Sequence, residues 1–386
     1  MGAPPYKFFK MFDKRIDRKN TNSFKWEKYP SEVLPMWVAD MDFEIAKPIQ
    51  EAIRKNLDHG IIGYSIPSKE LNEVAVKRLS EFHNWHIKEE WIVWLPAMVP
   101  SFYISVLACT TEGQGVMAST PIYRPFLEAA SSNNRHLQAI PLIWQNERWE
   151  MDFEKMKNEL KDTKLFFLCN PHNPNGRVYS KEELTQLASF CIENDIYIVS
   201  DEIHCDLVLE DSKKHLSIAS ISPEIAERTI TLLSPSKTFN TPGLGIAYAI
   251  IPNQDIRKKF EKLKNGILPM ISNFAMQGAI AAYTSAEPWR KELIQYLKSN
   301  HDFLMTEINA IDGLSMKPLE ATYLAWVDYR NTGIPNFTAL LEKHGLGVMD
   351  ADIFGGSGFF RLNFATQKSR VEEALTRIKN AMDTVK

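Results

Sequence analysis

Cysteine is scarce in this chain: four residues in 386, Cys109, Cys169, Cys191 and Cys205, with no C-x-x-C pair. That excludes a disulfide scaffold and a thiolate metal knuckle, and the apolar neighbourhoods of these residues suit reduced core thiols better than a catalytic nucleophile. Excess charge of one sign is also missing, because 45 Lys and Arg face 48 Asp and Glu for a formal net charge of −3. Without a basic stripe, neither nucleic acid nor an anionic membrane is an expected partner, and small molecules are. No apolar run approaches the about 18 to 20 residues needed to span a bilayer. The opening "MGAPPYKFFKMFDKRIDRKN" has charges every few residues, so it reads as neither a secretory signal nor an anchor. Tyr6 stands where a myristoylation motif requires Ser or Thr, and a cytoplasmic location is expected. Three nucleotide and metal motifs are absent as well. There is no G-x-x-x-x-G-K-[ST] and no H-E-x-x-H, and "GLGIAY" lacks the third glycine of a dinucleotide fingerprint and runs into a strand instead of a helix. Asp201, His204 and Asp206 share no face at either period, so no metal site is expected.

What is present is a large globular core, at 44% hydrophobic residues, in a chain long enough for two or three domains at roughly 150 residues each. Between about residues 92 and 252, short β-rich runs alternate with helical patterns: "VMAST", "LQAIPL", "KLFFLCN", "IYIVSD", "TITLLS" and "AYAII". Between "KLFFLCN" and "IYIVSD", Ser180 and Glu183 have capping-box spacing, and Leu184, Leu187, Ala188 and Cys191 form an apolar stripe. This is a βαβ unit, whose right-handed crossover brings Asn170 and Asp201 to the carboxyl ends of nearby parallel strands. Ser234 ends a third strand at the edge where open α/β sheets bind ligands. The last third reads as a second, α+β region: a helix from about Trp289 to Ile311, the strand "TYLAWVD", a helix near 337–344, the strand "FFRLNFA" and a final helix. The expected division is 1–45 as an N-terminal arm belonging partly to the small domain, 46–285 as the large domain and 286–386 as the small one.

Lys237, in "LLSPSKTFNTPG", is the residue that the strand-end reading makes conspicuous. A lysine drawn into a site loses its proton more readily and becomes a nucleophile able to form a Schiff base, whereas on a surface loop it would do nothing of the kind. Asp201 needs a cation if buried, which a protonated pyridine nitrogen would supply; otherwise it caps a turn. His204 either donates to a phenolate or is a satisfied structural histidine. Asn173, in the rigid turn "NPHNPNGRVY", can project an amide, and Tyr123, between prolines in "STPIYRPF", can hold its ring against a flat ligand or join the core. Arg361 inside "FFRLNFA" calls for a planar carboxylate, from a substrate or from an internal Asp.

The segments "NPHNPNGRVY", "SDEIHCDL", "SPSKTFN" and "FFRLNFA", in this order over most of the chain, resemble fold-type I pyridoxal-phosphate enzymes of the class I/II aminotransferase superfamily. Within it, "PMWVADMDF", "GYS", "PIYRPF", "SDEIH" and "ATYLAW" resemble the MalY/PatB cystathionine β-lyase (C-S lyase) branch. The resemblance implies an α/β fold: a mostly parallel seven-stranded sheet in a large domain, with a smaller α+β domain. It implies that Lys237 carries pyridoxal 5′-phosphate, that Asp201 pairs with its ring nitrogen, that Asn173 and His204 address its 3′ oxygen and that Tyr123 stacks on the ring. Ser234 and the amides around Met98 and Val99 would hold the phosphate, joined by Tyr64 from the neighbouring subunit of a homodimer. Arg361 would clamp the substrate α-carboxylate, and Ala39, Trp37 and Tyr323 would lie along the substrate. The implied reaction is β-elimination from a sulfur amino acid to a thiol, pyruvate and ammonia; transamination and a catalytically idle regulatory role are the alternatives. Two departures from the wider superfamily lean toward the lyase branch: Gly245 replaces a phosphate-binding arginine eight residues after the lysine, and His204 replaces a tyrosine.

Overall fold

The computed structural model describes residues 10–385. Residues 1–9 of the arm expected over 1–45 lie outside them. Seven strands form one sheet in the order Ile92–Leu95, Ala247–Ile250, Thr229–Leu233, Tyr197–Asp201, Thr163–Cys169, Gly115–Thr120 and His136–Pro141. Ala247–Ile250 runs antiparallel to both neighbours, and the other strands are mutually parallel. The mostly parallel α/β sheet is therefore as expected. Its central strands are near-continuous apolar runs because helices cover both faces, as Thr163–Cys169 and Thr229–Leu233 illustrate.

The crossover helix Lys181–Glu193 starts where the sequence signal puts it. Ser180 Oγ accepts from the Glu183 amide at 3.3 Å and the Glu183 carboxylate accepts from the Ser180 amide at 2.7 Å, a reciprocal cap contributing about 1 kcal/mol. Leu184, Leu187, Ala188 and Cys191 are buried against the sheet. In register, Cys169 pairs with Asp201, so these strands end side by side.

A second, antiparallel sheet comprises Ser315–Met316, Leu324–Asp328, Phe359–Asn363 and Met349–Asp350, in that order. It packs with the helices Glu287–Asn309, Phe337–Lys343 and Lys368–Asp383 in one hydrophobic cluster. The described part of the arm joins that cluster through Phe12, whose ring meets Phe43, Trp289 and Tyr296 at 5.1–5.6 Å. Leu34–Pro35 also pairs in parallel with Leu346–Gly347. A buried ionic knot fixes the segment that follows: Lys25 Nζ lies 2.8 Å from Asp42 Oδ2, Arg18 reaches both Asp40 (2.8 Å) and Asp42 (2.9 Å), and Trp26 Nε1 donates to Asp42 at 3.0 Å. Burial works to raise the Asp42 carboxyl, but Lys25, Trp26 and Arg370 outweigh it and hold it at about 2. Among the described residues, no helix is long and apolar enough to cross a membrane.

Candidate active site

The carboxyl ends of the central strands open onto a cavity of about 350 Å³, within the usual range for small-ligand sites. Lys237 enters it from the loop after Thr229–Leu233, Asp201 from the end of its strand, and Arg361 from the small sheet. Residues distant in sequence thus converge at the sheet edge that the strand reading singled out.

Lys237 Nζ donates to the Ala39 carbonyl at 2.7 Å and forms no ion pair among the described residues. Burial lowers its pKa to about 8, with Arg361 pushing the same way and Asp40 and Asp201 opposing. Roughly a tenth of the amine is therefore neutral and nucleophilic at pH 7, far more than for an ordinary lysine. Asp201 is 4% exposed and accepts a hydrogen bond from the Ile203 amide at 3.0 Å, the turn-capping contact expected from sequence. Burial raises it to about 7, so the site holds a carboxyl group whose ionisation awaits a cation. His204 is buried, with Nδ1 lacking a partner among the described residues; burial, helped by Lys237 and Arg361, lowers its pKa to about 3. It is a neutral ring here, able to donate through either nitrogen according to tautomer.

Arg361 Nη1 donates to Asn173 Oδ1 at 2.9 Å and Nη2 to the Trp37 carbonyl at 3.0 Å, with Nε unpaired. The guanidinium lies 4.7 Å from the Phe354 ring centroid. No carboxylate among the described residues pairs with it, so the internal-Asp reading is overturned, and burial lowers its pKa to about 10. A buried, oriented and uncompensated guanidinium has the planar donor geometry that pairs with a carboxylate. Tyr123, N-cap of Arg124–Ser131, lines the same cavity, and burial raises its hydroxyl pKa.

Another part of the lining is a helix N-terminus with two serines. Helix Val99–Cys109 starts here, and Met98 and Val99 at its N-terminus line the cavity; amides of a first helical turn have no intrahelical partner. Ser234 Oγ donates to the Ile246 carbonyl at 2.6 Å, lies 2.8 Å from Ser236 Oγ, and accepts from the Ser236 amide at 3.1 Å. Gly245 lines this end with φ +68°, and a Cβ there would sit 2.8 Å from the Pro96 carbonyl oxygen. An arginine at this position is thereby excluded on steric grounds.

Ten of the expected residues, Lys237, Asp201, Asn173, His204, Tyr123, Ser234, Met98, Val99, Arg361 and Ala39, line this one cavity, together with Trp37. Tyr323 does not: it is buried behind the wall, its hydroxyl donating to the Ala39 carbonyl at 3.2 Å and its ring 6.1 Å from His204. Tyr323 stands in the bend just before the strand Leu324–Asp328 and its hydroxyl finds a backbone acceptor, so it positions the loop instead of lining the pocket. Tyr64 also lies away from the cavity and is 97% exposed. Phe24 and Met349 line the cavity without any signal in the sequence, since neither sits in a motif or at a polar strand end.

The sequence profile of the aminotransferase class I and II family matches residues 38–378. The chain is 37% identical to the cystathionine β-lyase PatB of Bacillus subtilis, over 96% of this chain and 99% of that protein. Its fold superposes on the crystal structure of OvoB with a TM-score of 0.94 at 40% identity, covering 96% of this chain and 98% of the other. It superposes on the PLP-bound C-S lyase from Staphylococcus hominis with a TM-score of 0.90 at 31% identity, covering 96% and 98%. With a family match across nearly the whole chain, a near-complete relative and a cavity of matching residues at the sheet edge, this chain belongs to the aminotransferase class I and II family, in its MalY/PatB branch.

Proposed function

We propose that this chain is a pyridoxal 5′-phosphate-dependent carbon–sulfur lyase that cleaves L-cystathionine, L-cysteine or cysteine S-conjugates by β-elimination to a thiol, pyruvate and ammonia. The observation that carries this reading is the pairing, in one cavity, of a lysine amine near pKa 8 with a buried carboxyl group that has no cation on it. The residues fit the cofactor: a nucleophilic amine for its aldehyde, Asp201 for its ring nitrogen, Tyr123 for the ring face, and His204 and Asn173 for the 3′ oxygen. The Met98 and Val99 amides and Ser234 suit its phosphate. When bound, the cofactor supplies an electron sink for the charge left at Cα after its proton departs. Arg361 holds the substrate α-carboxylate in a plane set by Asn173 and Trp37. Lys237, which would hold the cofactor, would also be the general base that takes the Cα proton at its Nζ. Trp37 and Ala39 border the space left for the sulfur side chain.

The working unit is proposed to be a cytoplasmic homodimer, with residues 46–285 as its large domain and 1–45 with 286–386 forming the arm and small domain. Ile61, Ile62, Tyr64 and Ile66 are 70–97% exposed in a single stretch, an apolar surface of the kind a second copy covers. Tyr64 would there reach the neighbouring copy's phosphate. The deciding experiment supplies cystathionine to the cofactor-loaded protein and follows pyruvate and free thiol against keto-acid-dependent amino transfer. Pyruvate and thiol in equal amounts support the lyase; transfer without pyruvate rejects it in favour of an aminotransferase.

A further inference from the structure

Residues 36–43 form neither helix nor strand, yet most of their side chains are buried, and Trp37, Val38 and Ala39 line the Lys237 cavity. A buried stretch without a ladder of its own has to find partners for its backbone elsewhere. Here all eight consecutive carbonyls accept a hydrogen bond from outside the segment, and most of the donors are side chains. Lys237 and Arg361 supply two of them, to Ala39 and Trp37. Each is accompanied by an asparagine that grips the same segment. Asn240, three residues after Lys237, accepts from the Met41 amide at 3.0 Å and donates to the carbonyls of Met41 at 3.1 Å and Phe43 at 2.8 Å. Asn363 stands two residues after Arg361 on the strand Phe359–Asn363, and so on the same face. It donates to the carbonyls of Val38 and Asp40, both at 2.6 Å, while its Oδ1 accepts from the Ala365 amide at 2.8 Å.

Both positions use the acceptor and the donors of one short amide at once. Aspartate has no donor to offer there, and glutamine carries its amide one methylene further out. Asn240 also has φ +55°, a left-handed conformation that asparagine tolerates better than most residues with a side chain. Val38 and Asp40 flank Ala39, so Asn363 fixes the carbonyl that receives Lys237 Nζ, and Asn240 ties Met41, two residues on, to the Lys237 loop. Neither asparagine lines the cavity, so each acts through the segment. We propose that Asn240 and Asn363 are positioning residues, which clamp residues 36–43 into a spacer that sets the Lys237 amine against the Arg361 guanidinium. This role rests on the function proposed above, since a substrate held at its α-carboxylate by Arg361 presents Cα to Lys237 only while that spacing is kept.

The test uses Asn240→Gly, which keeps the positive φ and removes one grip, and Asn363→Ala, which removes the other. The first readout is amide hydrogen exchange across residues 36–43 in the cofactor-free protein, followed by mass spectrometry; each variant should speed it about tenfold or more. The second is exchange of the α-proton of L-alanine in D2O by the cofactor-loaded enzyme, followed by NMR, which reports proton removal at Cα without any β-elimination. Its rate at saturation should fall about 10- to 100-fold in each variant, with the half-saturating alanine concentration within about threefold and one cofactor per chain retained. The double variant should lose less than the product of the two single losses, because one released grip already frees the segment. If the buried Asn363→Ala does not fold, the half-buried Asn240→Gly carries the comparison. Unchanged amide exchange in the segment, α-proton exchange per bound cofactor within about twofold of the parent, or an effect confined to half-saturation would overturn the proposal. A parent that exchanges the α-proton but forms no pyruvate from cystathionine rejects the lyase reading alone.

Discussion

Replacing Arg361 by Met separates a receptor for substrate from a structural ion, because the two readings predict opposite balances of stability and activity. The guanidinium is 3% exposed and its pKa falls from 12.5 to about 10 on burial, so keeping it charged in the folded, ligand-free protein costs about 3 kcal/mol. Against that, Met removes two hydrogen bonds and leaves Asn173 Oδ1 and the Trp37 carbonyl without their donor, at about 1–3 kcal/mol each. The desolvation gain offsets much of the about 2–6 kcal/mol lost, so the net destabilisation in urea unfolding should not exceed about 3 kcal/mol. Catalysis has no such compensation. Two charge-assisted bonds to the substrate carboxylate, at about 1.5–3 kcal/mol each, correspond to a fall of about 10² to 10⁴ in kcat/KM. The assay pairs urea titration of the cofactor-free protein with pyruvate release from cystathionine. A large loss of stability with kcat/KM lowered less than about tenfold would refute the reasoning, since it would make Arg361 a structural residue.

Three further outcomes follow from the same geometry. In the cofactor-free protein, burial holds the pKa of Asp201 at about 7, above its ordinary value of 3.8, so the folded state holds the extra proton and this group's contribution falls as pH rises from about 4 to about 7. Asp201→Asn should therefore gain stability relative to the parent over that window, read by urea melts at several pH values; an unchanged difference would contradict it. The rate at which cofactor-free protein attaches pyridoxal phosphate, followed by visible absorbance, should rise with pH through about 8 as Lys237 loses its proton, and a midpoint near 10.5 would argue for an ordinary surface lysine. Gly245→Ala should destabilise by about 1–3 kcal/mol in urea unfolding, because φ is +68° and the new Cβ meets the Pro96 carbonyl; a neutral effect would show that the turn relaxes.

The parts of this molecule that could be read from sequence are those in which side-chain chemistry and local period agree. Thr163–Cys169, Lys181–Glu193 and Tyr197–Asp201 follow from apolar runs, a capping box and an apolar stripe, and parallel pairing then brings their polar ends together. Lys237 is conspicuous because it follows a strand that ends at the ligand-binding edge of the sheet, and Arg361 because it is a charge inside an aromatic strand. What could not be read is what depends on backbone atoms and distant packing. The carbonyls of Ala39 and Trp37, which hold Lys237 and Arg361, carry no residue signature. The irregular segment before them is ordered by the Lys25–Asp42 ion pair, whose members look like solvent charges in the sequence. Tyr323 failed as a pocket residue for the related reason that its hydroxyl finds a backbone acceptor in the wall. The positive φ of Gly245 explains a missing arginine that the sequence could only record.

The most direct measurement reduces the cofactor-loaded protein with borohydride, digests it and locates the pyridoxyl group by mass spectrometry. The account predicts a single modified peptide bearing the group on Lys237. Modification of a different lysine, or a reduced protein that carries no adduct after incubation with pyridoxal phosphate, would contradict it.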